Sequence, residues 1–295
     1  MAGPLKAELT LEPASDWRLR EYDDKCRMIR TFGSGEDRLT MWVDQGGLGS
    51  SFNITLIGEP VRYPYGPQIA VAFDPGEEVT RNYVTSKSSK GRPVLAMFGI
   101  EPISFERDTP KEPEEAIDDG GEETVDLTLA NASDTLSSAE IEARYAAITA
   151  MTLSGGGLEP ISLEMDDFLE MVSPLSDCAD ELTKRLSGRR EDGSYAEGTP
   201  SLPKDQNTWA EQISQNYPFH LLREGQQGTV GVRLTINKQG RPSFCQVVRY
   251  DGPASFNDIA CLQLLRYARF EPARNAGGEP RASFYLTSIT YKISN

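Results

Sequence analysis

The sequence predicts an α+β protein: a mostly antiparallel β domain closed by a helix, then a linker, then a small ββαβ domain at the C-terminal end. Three observations predict it. Short apolar stretches separated by turn residues recur from Trp17 to Phe98, which suits an antiparallel meander. Cys178, Leu182 and Leu186 recur every four residues and mark one apolar helix face. Beyond a stretch rich in Gly, Pro, Ser and charge, a strictly alternating run, a tight turn, a second strand, a helix and a closing strand follow in order. The boundaries read from this are 14–187 for the acidic β-rich domain, 188–208 for the linker and 209–295 for the C-terminal domain.

In the first domain, strands are expected at Trp17 to Glu21, Cys26 to Thr31, Arg38 to Val43, Phe52 to Ile57, Gln68 to Phe73, Arg92 to Phe98 and Thr124 to Leu129. Asp23-Asp24, Gly33-Ser34-Gly35 and Gln45-Gly46-Gly47 supply turns between the early ones. Asp108 to Glu123 lacks apolar anchors and reads as a solvated loop; Asp118, Gly120 and Glu122 do not meet the ligand spacing of a calcium loop. Ser138 is read as the cap of a helix reaching toward Ala150, with Glu142 in its first turns. Gly155-Gly156-Gly157 lacks the Lys-Ser/Thr of a phosphate loop and reads as a turn. A strand at Ile161 to Met165 and a helix from about Leu175 to Leu186 complete the domain. That helix aims Cys178 inward, where a strand thiol such as Cys26 could meet it.

In the second domain a short helical turn is expected over Trp209 to Gln215. Val230, Val232, Leu234 and Ile236 then share one strand face, and Asn237 to Gly240 makes the hairpin turn. Ser243 to Tyr250 returns, Asp251-Gly252-Pro253 breaks the sheet, and Cys261, Leu264 and Ala268 share a helix face. Pro272 ends that helix. Ser283 to Ile293 closes the sheet with Tyr285, Thr287, Ile289, Tyr291 and Ile293 on one side.

At 295 residues with 38% hydrophobic content, the chain can bury a core in each of two domains. Its net charge of -15 is uneven: from Glu211 onward ten basic side chains face six acidic ones, a net +4, which leaves -19 for the residues before. So acidic a region repels phosphates, and +4 is too little to argue for nucleic acid elsewhere; neither nucleic acid nor an anionic membrane is an expected partner. No apolar run approaches the roughly 18 residues of a membrane span. Met1 to Trp17 has neither the basic nor the apolar region of a signal peptide, so a leader is expected to have been removed if disulfides form.

The four cysteines, Cys26, Cys178, Cys245 and Cys261, include no C-x-x-C pair and the chain has one histidine, so a zinc site is not expected. Spacing alone fits two disulfides in an oxidising compartment or four buried thiols in a reducing one. His220 is the only base available for a serine or cysteine nucleophile, and it reads as a structural residue beside Tyr217-Pro218. With 45 acidic residues some close carboxylate pairs are inevitable, which deprives them of weight as glycosidase candidates. Neither enzymatic activity nor a cofactor is expected.

The pieces Tyr217-Pro218, the Gly-x-Val-x-Val strand from Gly228, Gly240 in the turn, the helix from near Phe256, and Arg269-Phe270-x-Pro272-Ala273 together resemble the C-terminal domain of the TonB family of energy transducers. That resemblance covers about a quarter of the chain. It implies a three-stranded antiparallel sheet with two helices on one face. It also implies a free edge to which the TonB box, an extended segment of an outer-membrane transporter, adds as a further strand. Carried over, the edge is Phe284, Tyr285, Leu286, Thr287, Ser288, Ile289, Thr290, Tyr291 and Lys292, with Tyr217 and Pro218 as the preceding contact motif. The strand cysteine Cys245 and helix cysteine Cys261 resemble a pair in TonB-like proteins of alphaproteobacterial type. In those proteins a region resembling Trp17, Asp23-Asp24-x-Cys26-Arg27-Met28 and Arg30-Thr31-Phe32-Gly33 precedes the same domain.

The resemblance favours disulfides and a periplasmic location. The membrane helix and long Pro-rich spacer of a transducer are missing from this sequence. Gly188 to Gln206 extends only about 60 Å at roughly 3.3 Å per residue, so coupling to an inner-membrane motor is not expected. The partners implied are a TonB-box-like peptide or another envelope protein, with a homodimer as the other use of an open edge. The alternative function is an envelope structural or assembly protein that uses the domain for packing or dimerisation.

Overall fold

The barrel begins with a seam. In the computed structural model, which describes residues 9–62, 64–66, 68–103, 137–165, 167–187, 198–253 and 255–293, the first strand is β1 (Leu9–Leu11), followed by β2 (Arg18–Glu21), β3 (Cys26–Phe32), β4 (Leu39–Gln45) and β5 (Phe52–Ile57). Next come β6 (Gln68–Asp74), β7 (Val79–Lys87), β8 (Pro93–Ile100), helix α1 (Ser138–Ala146), β9 (Ala150–Ser154), β10 (Ile161–Glu164) and helix α2 (Phe168–Ser187). The sheet runs β1-β10-β9-β6-β7-β8-β5-β4-β3-β2, antiparallel except for β1 on β10. Its two ends are consecutive in the chain, and the residues joining them also bond to β3: Ala14 N donates to Thr31 O at 2.8 Å and Gly33 N to Glu12 O at 2.9 Å. The sheet therefore closes on itself, which the expected meander did not include.

Alternation fills the interior. Met28, Met41, Ile54, Leu95, Met97, Val71, Met151 and Leu163 are all buried and join Phe168, Met171, Leu175 and Leu182 of α2 in one apolar cluster. Helix α2 starts seven residues before the expected Leu175, with Pro174 inside it. Its entry is fixed by Asp167, which receives Arg30 Nη1 at 2.5 Å and Trp17 Nε1 at 3.3 Å. Cys178 of α2 is bonded to Cys26 of β3, with Cα atoms 6.1 Å apart. On the outside, Arg27 grips Asp44 through Nε at 2.5 Å and Nη2 at 2.6 Å while stacking 4.0 Å from the Trp42 ring.

Helix α1 is capped by Ser137, one residue before the expected Ser138. Glu140 N donates to Ser137 Oγ at 3.3 Å and Ser137 N to Glu140 Oε2 at 2.8 Å, a reciprocal capping box. The helix stops short of Ala150, which pairs with Asp74 at the start of β9. The expected loop Asp108 to Glu123 and strand Thr124 to Leu129 lie outside the described residues.

Residues 198–204, within the expected linker, form β11 (Gly198–Thr199) and β12 (Leu202–Lys204). Then follow α3 (Gln206–Gln215), α4 (Phe219–Arg223), β13 (Gly228–Ile236), β14 (Pro242–Asp251), α5 (Ser255–Tyr267), β15 (Arg269–Glu271), β16 (Ala273–Asn275), β17 (Pro280–Arg281) and β18 (Ser283–Tyr291). The two early strands pair with β16 and β15, so this part of the connection is folded onto the C-terminal module. The main sheet is β14-β13-β18. One face packs Val230, Val232, Leu234 and Ile236 under Phe256, Ala260 and Leu264 of α5 and Trp209 and Ile213 of α3. Cys245 and Cys261 join β14 to α5, with Cα atoms 5.5 Å apart; closing so short a loop is worth about 3 kcal/mol by chain entropy.

The other face of this sheet is also covered, by the loop after β4. Thr235 Oγ1 donates to Gly46 O at 2.9 Å, and a Cβ added at Gly46 would clash with buried Phe244, 2.3 Å from its Cγ. Gly46→Val is thus expected to unseat the loop at a cost of about 1–3 kcal/mol, read as a lower urea midpoint.

A second contact joins α5 to β7, where Arg81 Nη1 lies 3.6 Å from Asp258 Oδ2. Burial raises the Asp258 carboxyl from 3.8 to about 6; the Arg81 charge opposes the shift and Glu101 adds to it. The folded chain keeps a proton there that the unfolded chain releases. Stability from this group is therefore full below about pH 4 and is lost as pH rises through about 6. Denaturation followed across that window should show the decline in the native chain and a flatter profile in Asp258→Asn.

Candidate strand-acceptor edge

The closing strand β18 pairs with β13 over nine unbroken positions, from Gly228↔Tyr291 to Ile236↔Ser283. Its alternation sorts the expected edge residues between two faces. On the helix side, Tyr291 stacks on Phe256 with centroids 4.4 Å apart, and its hydroxyl donates to Gln263 Oε1 at 3.2 Å. Burial pushes the Tyr291 phenol above its ordinary value, and nearby Tyr217 adds to the shift. Tyr285 meets Phe270 edge-on at 4.8 Å, and Ile289 packs against the same cluster.

The predicted contact motif sits at the far end of this strand. Tyr217 is edge-on to Phe256 at 5.8 Å and to Tyr291 at 5.4 Å, and its hydroxyl donates to Gln226 O. Pro218 is buried and its carbonyl accepts from Leu222 N at 2.9 Å, opening α4. The motif braces the end of β18 from the helix side; Lys292 follows, exposed, just past the strand. His220 lies on α4, and its side chain is outside the described ones. Among the described residues no three of His, Cys, Asp or Glu gather as metal ligands would.

On the second face, Leu286, Ser288 and Thr290 are exposed, while Phe284 packs into the barrel's cluster. Beside Phe284 lies Arg233 of β13, its guanidinium 4.6 Å from the ring centroid. Arg233 Nη2 donates to Leu48 O and to Gln246 Oε1, each at 2.5 Å. With no carboxylate among these contacts, burial pushes the guanidinium down to about 10. Leu48 N in turn donates to Thr183 Oγ1 of α2 at 2.9 Å. Sequence reasoning missed Arg233, Thr235 and the loop Gly46–Gly49. The available signal was the glycine run, whose close approach to Phe244, Arg233 and Gln246 excludes side chains.

Edges differ in their protection. β14 carries register shifts at Gly231/Val232 and Thr235/Ile236 and begins on Pro242, features that blunt an edge. In the barrel, the end strands β1 and β2 are three and four residues long, and β2 carries Arg18, Arg20 and Glu21, which protects them as edges. β18 has neither Pro, nor a charged residue, nor a shift over Ser283–Tyr291, and among the described strands it pairs with β13 alone.

The stretch 214–293, from the end of α3 to just past β18, matches the family model for the C-terminal of the Gram-negative bacterial TonB protein. The barrel lies outside the matched residues. No curated protein matches the chain.

Removing the Tyr291 hydroxyl should leave Gln263 Oε1 unpaired in the buried helix–strand contact. Tyr291→Phe is expected to lower stability by about 1 kcal/mol, measured by urea denaturation.

Proposed function

We propose that this is a periplasmic protein whose TonB-like C-terminal module captures an extended peptide segment by strand addition at β18, in TonB-dependent transport across the outer membrane. The observation that carries the reading is the contrast between edges. A nine-residue strand with unbroken register, without Pro or charge and exposed at Leu286, Ser288 and Thr290, is a hazard unless something is meant to pair with it. Backbone groups along Tyr285 to Thr290 supply the binding, and alternate side chains supply selectivity. The TonB family match supports the class of partner, a TonB-box-like segment of an outer-membrane transporter. The two disulfides support an oxidising compartment. No helix among the described residues is long and apolar enough to cross a membrane, and coupling to a motor is not part of the proposal. The role is one of binding, with no catalytic step.

Fluorescence anisotropy with a labelled synthetic TonB-box peptide tests it. The native chain should bind, and Ser288→Lys, which places a charge on an exposed edge position, should weaken binding by about tenfold without changing thermal stability. A dimer by sedimentation that the peptide does not dissociate would replace peptide capture with self-pairing of β18.

A further inference from the structure

Lys204, Arg266 and Arg269 gather where the segment before the matched residues is pinned to the module. The β12–β15 pair sets Lys204 directly opposite Arg269, and Arg266 lies in the last turn of α5. Like charges facing each other across a strand pair repel, so this arrangement favours an anion. Glu271 answers only Lys204, at 3.2 Å between two side chains that are each more than half exposed. Arg269 Nη1 donates to the carbonyls of Arg266 and Ala268 at the end of α5, and the Arg266 guanidinium rests 5.2 Å from the Tyr267 ring centroid. Neither arginine has a carboxylate partner among the described residues.

These cations and Tyr267 form one wall of a cleft of about 450 Å³, a volume within the range of small-molecule sites. The facing wall is α3, where Asp205, Thr208 and Gln212 recur at helical spacing and line the cleft together with Trp209. Trp209 is buried and fixed, its Nε1 donating to Lys204 O at 3.1 Å. Asp205 has a left-handed backbone, φ 50, and its side chain makes no capping bond to α3, because a cap needs extended geometry at that position. Its carboxylate is therefore free to accept hydrogen bonds from elsewhere.

We propose that this cleft binds a sugar acid, with its carboxylate on the Arg266 and Arg269 side and its hydroxyls on the Asp205, Thr208 and Gln212 side. Guanidinium N–H groups match a carboxylate in geometry as well as charge. The opposite wall offers a carboxylate, a hydroxyl and an amide, which suit several hydroxyls; the same Asp205 would repel an acidic peptide. Lys204 to Gln212 precede residues 214–293, which match the TonB family model, so the site arises from joining this segment to the module. It contains no residue of β18, and it stands apart from strand capture.

Nuclear magnetic resonance of the full chain, labelled with nitrogen-15, tests it by following the Trp209 indole N–H during titration with glucuronic or galacturonic acid. At least one of the two should give a saturable shift with a Kd of about 1 mM, and glucose and acetate, each with half of the recognised groups, should bind about tenfold more weakly or not at all. Arg266→Gln should weaken sugar-acid binding by about tenfold and Gln212→Ala by about threefold, both with unchanged thermal unfolding. Arg92→Gln, which removes an exposed charge from the barrel, should leave binding as it is. Acetate binding as tightly as the sugar acids would reduce the cleft to a simple anion site and overturn the proposal. So would the absence of a saturable shift with either sugar acid, or Arg266→Gln binding like the native chain.

Discussion

Arg233, on the central strand of the three-stranded sheet, is 5% exposed, its guanidinium bonded to a carbonyl and an amide and stacked on a phenylalanine. A buried cation with neutral partners is tolerable only if those partners stay in place, because losing them leaves an unsolvated charge. The carbonyl belongs to the barrel, the amide to β14 and the ring to β18. One side chain therefore couples the barrel loop to both outer strands. Around it, Thr235 and Phe244 fit against glycines that bring the loop's backbone close. Apolar burial through the helix face stabilises the module by itself; this second face fixes how the barrel meets it.

The periodic elements were legible. Strands β3, β4 and β5, the face of β13 and the helix α5 appear close to where alternation and four-residue recurrence put them. So does the inward direction of Cys178. What periodicity cannot carry was missed. β7 is mostly exposed along its length, so it lacks an apolar pattern. β9 follows α1 so closely that its first residues read as the helix's last turn. α2 continues through Pro174 because its first turn is held by tertiary contacts to Arg30 and Trp17, which outweigh the local helix-breaking tendency. The short strands β11 and β12 come from a segment whose composition reads as linker, and they are ordered by pairing with β16 and β15.

The closing strand was legible in the sequence, its surroundings were not. Alternation assigned Arg233 and Thr235 to the polar, outward face of β13, which is correct as geometry but misleading about exposure. A sheet face that looks solvated in a single domain becomes an interface when another domain covers it, and the only trace in the sequence was the Gly-Gly-Leu-Gly run. Glycines in a turn usually signal backbone freedom; here Gly46 and Gly49 also make room for a neighbour. The same covering explains why Phe284, at the start of the expected edge, belongs to the barrel's core, leaving Tyr285 to Thr290 as the accessible part.

The seam between β1 and β10 imposes an order in time. Leu9–Leu11 pairs with Ile161–Leu163, so the strand that is synthesised first waits for one made about 150 residues later. Until then the growing barrel has two open sides and must avoid pairing with other chains. Like charge among the residues before Glu211, a net -19 once they are complete, disfavours the close approach of unfolded copies.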